Sequence, residues 1–261
     1  MLFDTHTHLN DEKFAADRGA VLERARAAGV GALVEIADSP DDWDRAVALA
    51  RARPALVRCA LGLHPYYADR WSEELGRALR AKADLPEVVA AGEIGLDYAR
   101  CEIPHTVQQE SFLKMCAAAA AADLPVIIHC RDADDDNIRL LEDFYGGRKC
   151  DGRFRGVLHC FSGAAEHAAR AVRLGFALGA DGPVTYPKND ALRAALGAAG
   201  LENIVLETDS PYLPPQSRRG KRNEPDAVPE IAAKLAEVFG VTTEEVAAQT
   251  THNARDLFRL A

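Results

Sequence analysis

No two of the six cysteines in this 261-residue chain are spaced as CxxC, and none of its apolar runs approaches a membrane span. Such a span needs roughly 20 consecutive apolar residues. Scattered thiols of this kind predict reduced cysteines in the cytoplasm rather than a disulfide framework. The start, Met1-Leu2-Phe3-Asp4-Thr5-His6, has no basic segment, apolar core or cleavage site, so no secretory signal is expected. Positive charge is also short: 31 Lys and Arg stand against 40 Asp and Glu, a net charge of −9. A chain of that sign repels nucleic acid at long range, which excludes a sequence-independent duplex binder. A nucleic-acid substrate would have to be held by local cations or by metal. A GxGxxG turn after the first apolar run is missing, which removes the usual mark of a doubly wound dinucleotide-binding sheet. With no linker or low-complexity stretch, residues 1–261 are expected to form a single domain.

The chain does have a repeat. Its hydrophobic content of 48% is enough for a large core, and short apolar runs recur about every 30 residues, the spacing of alternating strands and helices. Strands are predicted at Leu2–His6, Gly31–Ile36, Val57–Leu63 and Val88–Glu93. The second half adds Pro125–His129, Gly156–His159, Phe176–Ala180 and Asn203–Glu207. Helical spacing fills the gaps, as in Arg18–Ala28, Thr106–Ala122, Ala164–Leu174 and Ala191–Ala198. Eight such units in this length predict an α/β fold, a single TIM (β/α)8 barrel. A Pro- and Arg-rich loop, residues 213–225, follows the eighth strand. Thr242 and Glu245 make a capping box for a terminal helix, and Asn253 is expected to cap a last one, Ala254–Leu260.

Polar side chains of metal-binding type stand at or just past the ends of these runs. They are His6, His8, His64, Glu93, His129, His159 and Asp209. In a barrel of this kind the C-terminal strand ends converge on one face, where active sites lie. His6 and His8 are two apart and so share a face. Six imidazole and carboxylate groups exceed one tetrahedral site and suit two divalent ions, Mg, Mn or Zn. We assign His6, His8 and Asp209 to one ion, His129 and His159 to the other, and Glu93 to both. Two dications against two carboxylates leave net positive charge for an anionic ester, and metal acidifies water for attack. Asp209, at the cluster's edge, is the expected proton acceptor.

Other residues fit around this centre. Asp4 and Glu207, two before His6 and Asp209, are expected one layer deeper, orienting imidazoles by accepting their other N–H. Cys130 and Cys160 directly follow ligand positions, so alternation points them into the helix layer. His64 is expected to bind a substrate oxygen. Arg131, two after His129, and the loop cations Arg219 and Arg222 are expected to bind phosphate. His105, His167 and His252 are expected at the surface.

These residues fall in motifs that resemble the TatD family of metal-dependent deoxyribonucleases, within the amidohydrolase superfamily. The motifs are Asp4-Thr-His-Thr-His-Leu9, Gly62-Leu-His-Pro65, Gly92-Glu-Ile-Gly-Leu-Asp-Tyr98, Ile128-His-Cys-Arg-Asp132, His159-Cys-Phe-Ser-Gly163, Glu207-Thr-Asp-Ser-Pro-Tyr-Leu213 and Arg219-Gly-Lys-Arg-Asn-Glu-Pro225. The resemblance implies a divalent-metal hydrolase of DNA phosphodiesters, often working from a 3′ end on single-stranded or frayed DNA. It implies that the six positions are ligands, with Glu93 where many related barrels carry a modified lysine. A monomer or weak homo-oligomer is expected, without membrane attachment. The alternative activity is a deacylase or amidohydrolase acting on an ester or amide such as D-aminoacyl-tRNA. The run Asp132-Ala-Asp-Asp-Asp136 departs from the family pattern. Its acids favour a helix N-terminus but set four aspartates near the mouth, against a long polyanion.

Overall fold

The computed structural model describes residues 1–147 and 154–260. Its eight strands are β1 (Leu2–Thr7), β2 (Val30–Ala37), β3 (Val57–Leu61), β4 (Val88–Asp97), β5 (Val126–Arg131), β6 (Gly156–Leu158), β7 (Phe176–Ala180) and β8 (Ile204–Leu206). They lie in one sheet in sequence order, all parallel. The barrel closes at its C-terminal rim, where His8 N–H donates to the Ser210 carbonyl (2.8 Å) and Asp209 N–H to that of His6 (3.0 Å). Its helices are α1 (Arg18–Ala27), α2 (Trp43–Ala52), α3 (Glu73–Ala83), α4 (His105–Ala121), α5 (Asp134–Tyr145), α6 (Ala165–Arg173), α7 (Asp190–Ala199), α8 (Val228–Phe239) and α9 (Thr243–Phe258). The expected (β/α)8 barrel is therefore the observed architecture, and no described helix is long and apolar enough to cross a membrane.

Strand alternation creates two apolar layers. Phe3, Val34, Ile36, Ala60, Ile127, Val157, Ala177 and Val205 pack together, and Ala254, Leu257 and Phe258 of α9 join them. Residues between them, such as Leu33, Leu61, Ile128, Leu158, Leu178 and Leu206, belong to the larger cluster shared with the helices. Two-residue steps from the first set lead to His64, His129, His159 and Asp209. The side chains that fill the barrel and those that form the site thus lie on one strand face at successive heights.

The capping box of Thr242 with Glu245 forms as expected, at 3.2 and 2.8 Å. Asn253 does not cap a separate helix. It lies inside α9, and its amide donates to the Leu201 and Ile204 carbonyls (2.9 and 2.7 Å), tying the helix to β8. A buried amide with two such acceptors satisfies itself without ending a helix.

Candidate metal centre

The end of β4 builds the centre's floor. Glu93 is buried, and its two carboxylate oxygens face different histidines. Oε2 lies 3.5 Å from His6 Nε2, whereas Oε1 lies 2.5 Å from His129 Nδ1 and 3.9 Å from His159 Nε2. Two glycines allow β4 to sit this close to its neighbours. A Cβ at Gly62 would come within 2.3 Å of the Glu93 backbone nitrogen, and one at Gly95, where φ is +147°, within 2.0 Å of the His129 carbonyl. Only glycine tolerates both the contact and that conformation.

Asp209 faces the same cluster from the other side. Its Oδ1 is 3.4 Å from His8 Nε2 and 3.8 Å from both His6 Nε2 and His159 Nε2. Its backbone is left-handed, with φ +53°, a conformation in which aspartate is enriched. The His6 and His159 rings stack at 3.4 Å, and the His6 and His8 Nε2 atoms are 3.3 Å apart. All six positions assigned to metal are therefore brought together. Glu207 Oε1 lies 3.0 Å from His159 Nδ1, an ion-pair contact on the side of the ring away from the cluster.

Asp4 is placed differently from the expectation. It accepts from the Thr208 N–H (2.9 Å), the Thr208 hydroxyl (2.7 Å) and the His6 backbone N–H (3.3 Å), not from an imidazole. The β1–β2 register slips between Asp4 and Thr7, so the two-residue step from His6 does not keep Asp4 on the site face. Asp4 ties β1 to the segment after β8, and burial raises its carboxyl to about 8. Cys160 also departs. Its φ of +48° breaks the alternation, and its thiol meets Asp181 Oδ2 at 2.9 Å instead of entering the helix layer. Cys130 does turn toward α5, beside Asp134 and Asn137. Cys150 lies outside the described residues.

Sequence reasoning missed Asp97 and Glu35. Asp97 Oδ2 is 3.3 Å from His129 Nε2, so both nitrogens of that ring face carboxylates. The Asp97 carboxylate also accepts the Ala99 and Arg100 N–H groups. Its signal was the alternation Glu93, Gly95, Asp97 along one strand. Glu35 accepts the Leu9 and Asn10 N–H groups at 2.6 and 3.0 Å and fixes the loop that follows His8. Its signal was an acid within an otherwise apolar run.

His64 lies against His129, with ring centroids 4.4 Å apart. Its Nδ1 accepts the Tyr66 N–H at 3.2 Å, and burial lowers its pKa to about 3. The neutral ring with Nδ1 accepting carries its proton on Nε2, which makes that atom a donor toward the cavity, while His64, Glu93 and His129 also hold donor atoms within 4.8 Å of one another. Arg131 lines the mouth of an open cavity of about 1030 Å³ above the cluster. The loop cations stand elsewhere. Arg222 is paired with Asp17 (2.8 Å) and Glu224 (2.6 Å), and Arg219 lies over the Tyr186 ring (4.4 Å). Neither lines the cavity. His105 and His252 are exposed, and half-buried His167 pairs with Asp135 at 3.1 Å.

The electrostatics fit cations. Among the described residues no lysine or arginine pairs with Glu93, Asp97, Glu207 or Asp209. Burial alone would strip protons from the imidazoles, yet these carboxylates outweigh it. Asp209 holds His8 up at about 9, Glu93 and Asp97 hold His129 at about 9, and Glu207 with Glu93 holds His159 at about 10. His6 goes down, because it is buried and faces His159. The same histidines pull Glu93 and Asp209 below the usual carboxylate range against their burial. Imidazolium protons thus supply charge that divalent ions would otherwise bring, and the clusters His6, His8, Glu93 and His6, His159, Glu207 each hold donor atoms within 4.8 Å of one another.

Metal uptake must then displace protons. Unfolded histidine titrates at 6.5, so stability from these raised groups is fully present below that pH and lost as pH rises through their folded values. Chelated protein is therefore expected to melt at progressively lower temperature from about pH 7 to about pH 10. Excess divalent cation should flatten the decline. Calorimetry with and without EDTA reads this directly; a melting temperature that climbs over that range in chelated protein would contradict it.

Three comparisons place the chain among known proteins. The family model described as TatD related DNase matches residues 3–259. The chain is 37% identical over 260 residues to the uncharacterized metal-dependent hydrolase YabD of Bacillus subtilis, covering 100% of both. It is 36% identical to the 3′-5′ ssDNA/RNA exonuclease TatD of Pantoea vagans, again covering 100% of both. The crystal structure of YjjV, a TatD homologue from Escherichia coli, superposes with a TM-score of 0.91 at 32% identity, over 100% of this chain and 98% of that one.

Proposed function

This chain belongs to the TatD-related DNase family, and from that premise we propose that it is a divalent-metal-dependent nuclease. Its proposed substrate is single-stranded or frayed DNA, cut at phosphodiester bonds from the 3′ end. The observation that carries the reading is the divided Glu93 carboxylate, with one oxygen toward His6 and the other toward His129 and His159. That division supports two ions: one with His6, His8 and Asp209, the other with His129 and His159, and Glu93 shared.

Bound divalent ions supply Lewis acidity, which acidifies water and offsets phosphate charge. The chain's own groups do the rest. Asp209 Oδ1, at the cavity edge of the imidazoles, accepts the proton of the attacking water. Glu207 keeps His159 in one tautomer, and Asp97 does the same for His129. His64 Nε2–H donates to a phosphate oxygen. Arg131 at the mouth pairs with phosphate, while Arg222 braces the loop against α1 through Asp17.

The test is digestion of an end-labelled single-stranded oligonucleotide with Mg or Mn. Products should shorten from the 3′ end, and EDTA should stop the reaction. Absence of cleavage at every metal concentration, with turnover of acylated RNA instead, would replace this reading with the deacylase one.

A further inference from the structure

The cavity is unevenly charged. Ten carboxylates and three arginines line it, and Arg45 is already paired with Asp42 at 2.8 Å. Arg100 and Arg131 make no ion pair among the described residues. Arg131 is the last residue of β5, and Arg100 stands three residues past the end of β4. Arg131 is paired in register with Asp97, and the Arg100 N–H donates to the Asp97 carboxylate at 2.8 Å. The same side also carries Asp132 and Asp134, while the opposite wall, from the segments after β1 and β2, carries Asp11, Glu12, Asp38 and Asp42 and, among the described lining residues, no unpaired cation.

An aromatic ring accompanies the two free guanidiniums. Tyr66 is 44% exposed at the mouth, edge-on to His64 with centroids 4.6 Å apart. Its backbone N–H is fixed on His64 Nδ1. Tyr66, Arg100 and Arg131 all line the cavity. The His64 ring beside Tyr66 lies against His129, two residues before Arg131 on β5, and Arg131 is in register with Asp97, whose carboxylate holds the Arg100 N–H. Tyr212, the other exposed tyrosine at the mouth, is differently engaged. Its hydroxyl donates to Asp11 at 2.7 Å, and the Lys13 ammonium lies over its ring at 4.3 Å.

We propose that Tyr66, Arg100 and Arg131 form a nucleotide subsite on the β3–β5 side of the centre, where Tyr66 stacks an unpaired base and the guanidiniums hold the phosphate flanking the scissile one. The proposal rests on the nuclease reading and adds to it the residues that select single strands. A base inside a duplex has both faces covered by its neighbours, so it reaches a tyrosine ring only when unstacked, whereas every free base has a face to offer. The opposite wall offers a phosphate no unpaired cation, so the strand runs out over Arg100 and Arg131.

The experiment compares kcat/KM of the Mg-loaded enzyme on a short single-stranded oligonucleotide and on the same strand with abasic sites near its 3′ end. Tyr66→Ala should cost on the order of 10-fold on the normal strand and less than about 2-fold on the abasic one; Tyr66→Phe should recover most of the loss. Arg100→Ala should lower kcat/KM on both strands and reduce the slope of log kcat/KM against log salt by about 0.7, the value for one contact on a single strand. Equal losses of Tyr66→Ala on both strands, or an unchanged salt slope in Arg100→Ala, overturn the subsite while leaving the nuclease reading intact. If the unsubstituted enzyme cuts neither strand, the nuclease reading and the subsite fall together.

Discussion

Asp209→Asn is expected to lower kcat by about 10³-fold, within the range of a lost general base, while oligonucleotide affinity stays within a few-fold. The replacement keeps shape and removes charge and basicity together. In the native site Oδ1 meets His8, His6 and His159 within 3.8 Å, and burial has not prevented the carboxylate from ionising because those imidazoles favour its charge. An amide at this point neither accepts a proton nor holds His8 up, so the His8 pKa should fall in chelated protein. Single-turnover kinetics at saturating metal separate chemistry from weaker metal binding, and histidine titration by NMR follows His8. Turnover within 10-fold of the unsubstituted enzyme at saturating metal would remove Asp209 from proton transfer.

Much of this site was visible in the sequence, because barrel strands impose a rule the eye can follow. An apolar run ends, and the polar residue after it on the inward face points at the mouth. His129 after Ile127, His159 after Val157 and Asp209 two beyond Glu207 all obey it. The rule fails where backbone geometry interrupts alternation. The slip after Asp4 and the left-handed turn at Cys160 each put a side chain on the other face from the one that counting gives. It also fails where a strand outlasts its apolar signal. β4 continues four residues beyond Glu93, which hid Asp97 in plain view at the end of a recognised motif. The loop cations were beyond counting altogether. Arg222 finds its partner Asp17 205 residues away, and nothing local to residues 213–225 announces that contact. A charge run in a loop reports only that cations are present, while the fold decides whether their partners are substrate or protein.

On the proposed two-ion assignment, Glu93→Gln is expected to reduce bound metal to one ion per chain, and to lower turnover on the order of 10³-fold. The argument rests on the symmetry a carboxylate has and an amide lacks. Glu93 offers an acceptor oxygen to His6 and another to His129 and His159. A glutamine side chain offers one acceptor and one NH2, so either orientation turns a donor toward one half of the cluster. The half that faces the NH2 loses both its shared ligand and the negative charge that balanced its cation. Losing one of two ions removes several kcal/mol of transition-state charge stabilisation, and about 1.4 kcal/mol is a tenfold change in rate. Elemental analysis after desalting counts the ions, and activity at rising metal concentration shows whether the loss is of affinity or of the site. Two ions and undiminished turnover in Glu93→Gln would separate this carboxylate from both ions. The His129–Glu93 contact at 2.5 Å would then be an ion pair of the folded protein alone, and the two-ion assignment would lose the residue that joins its halves.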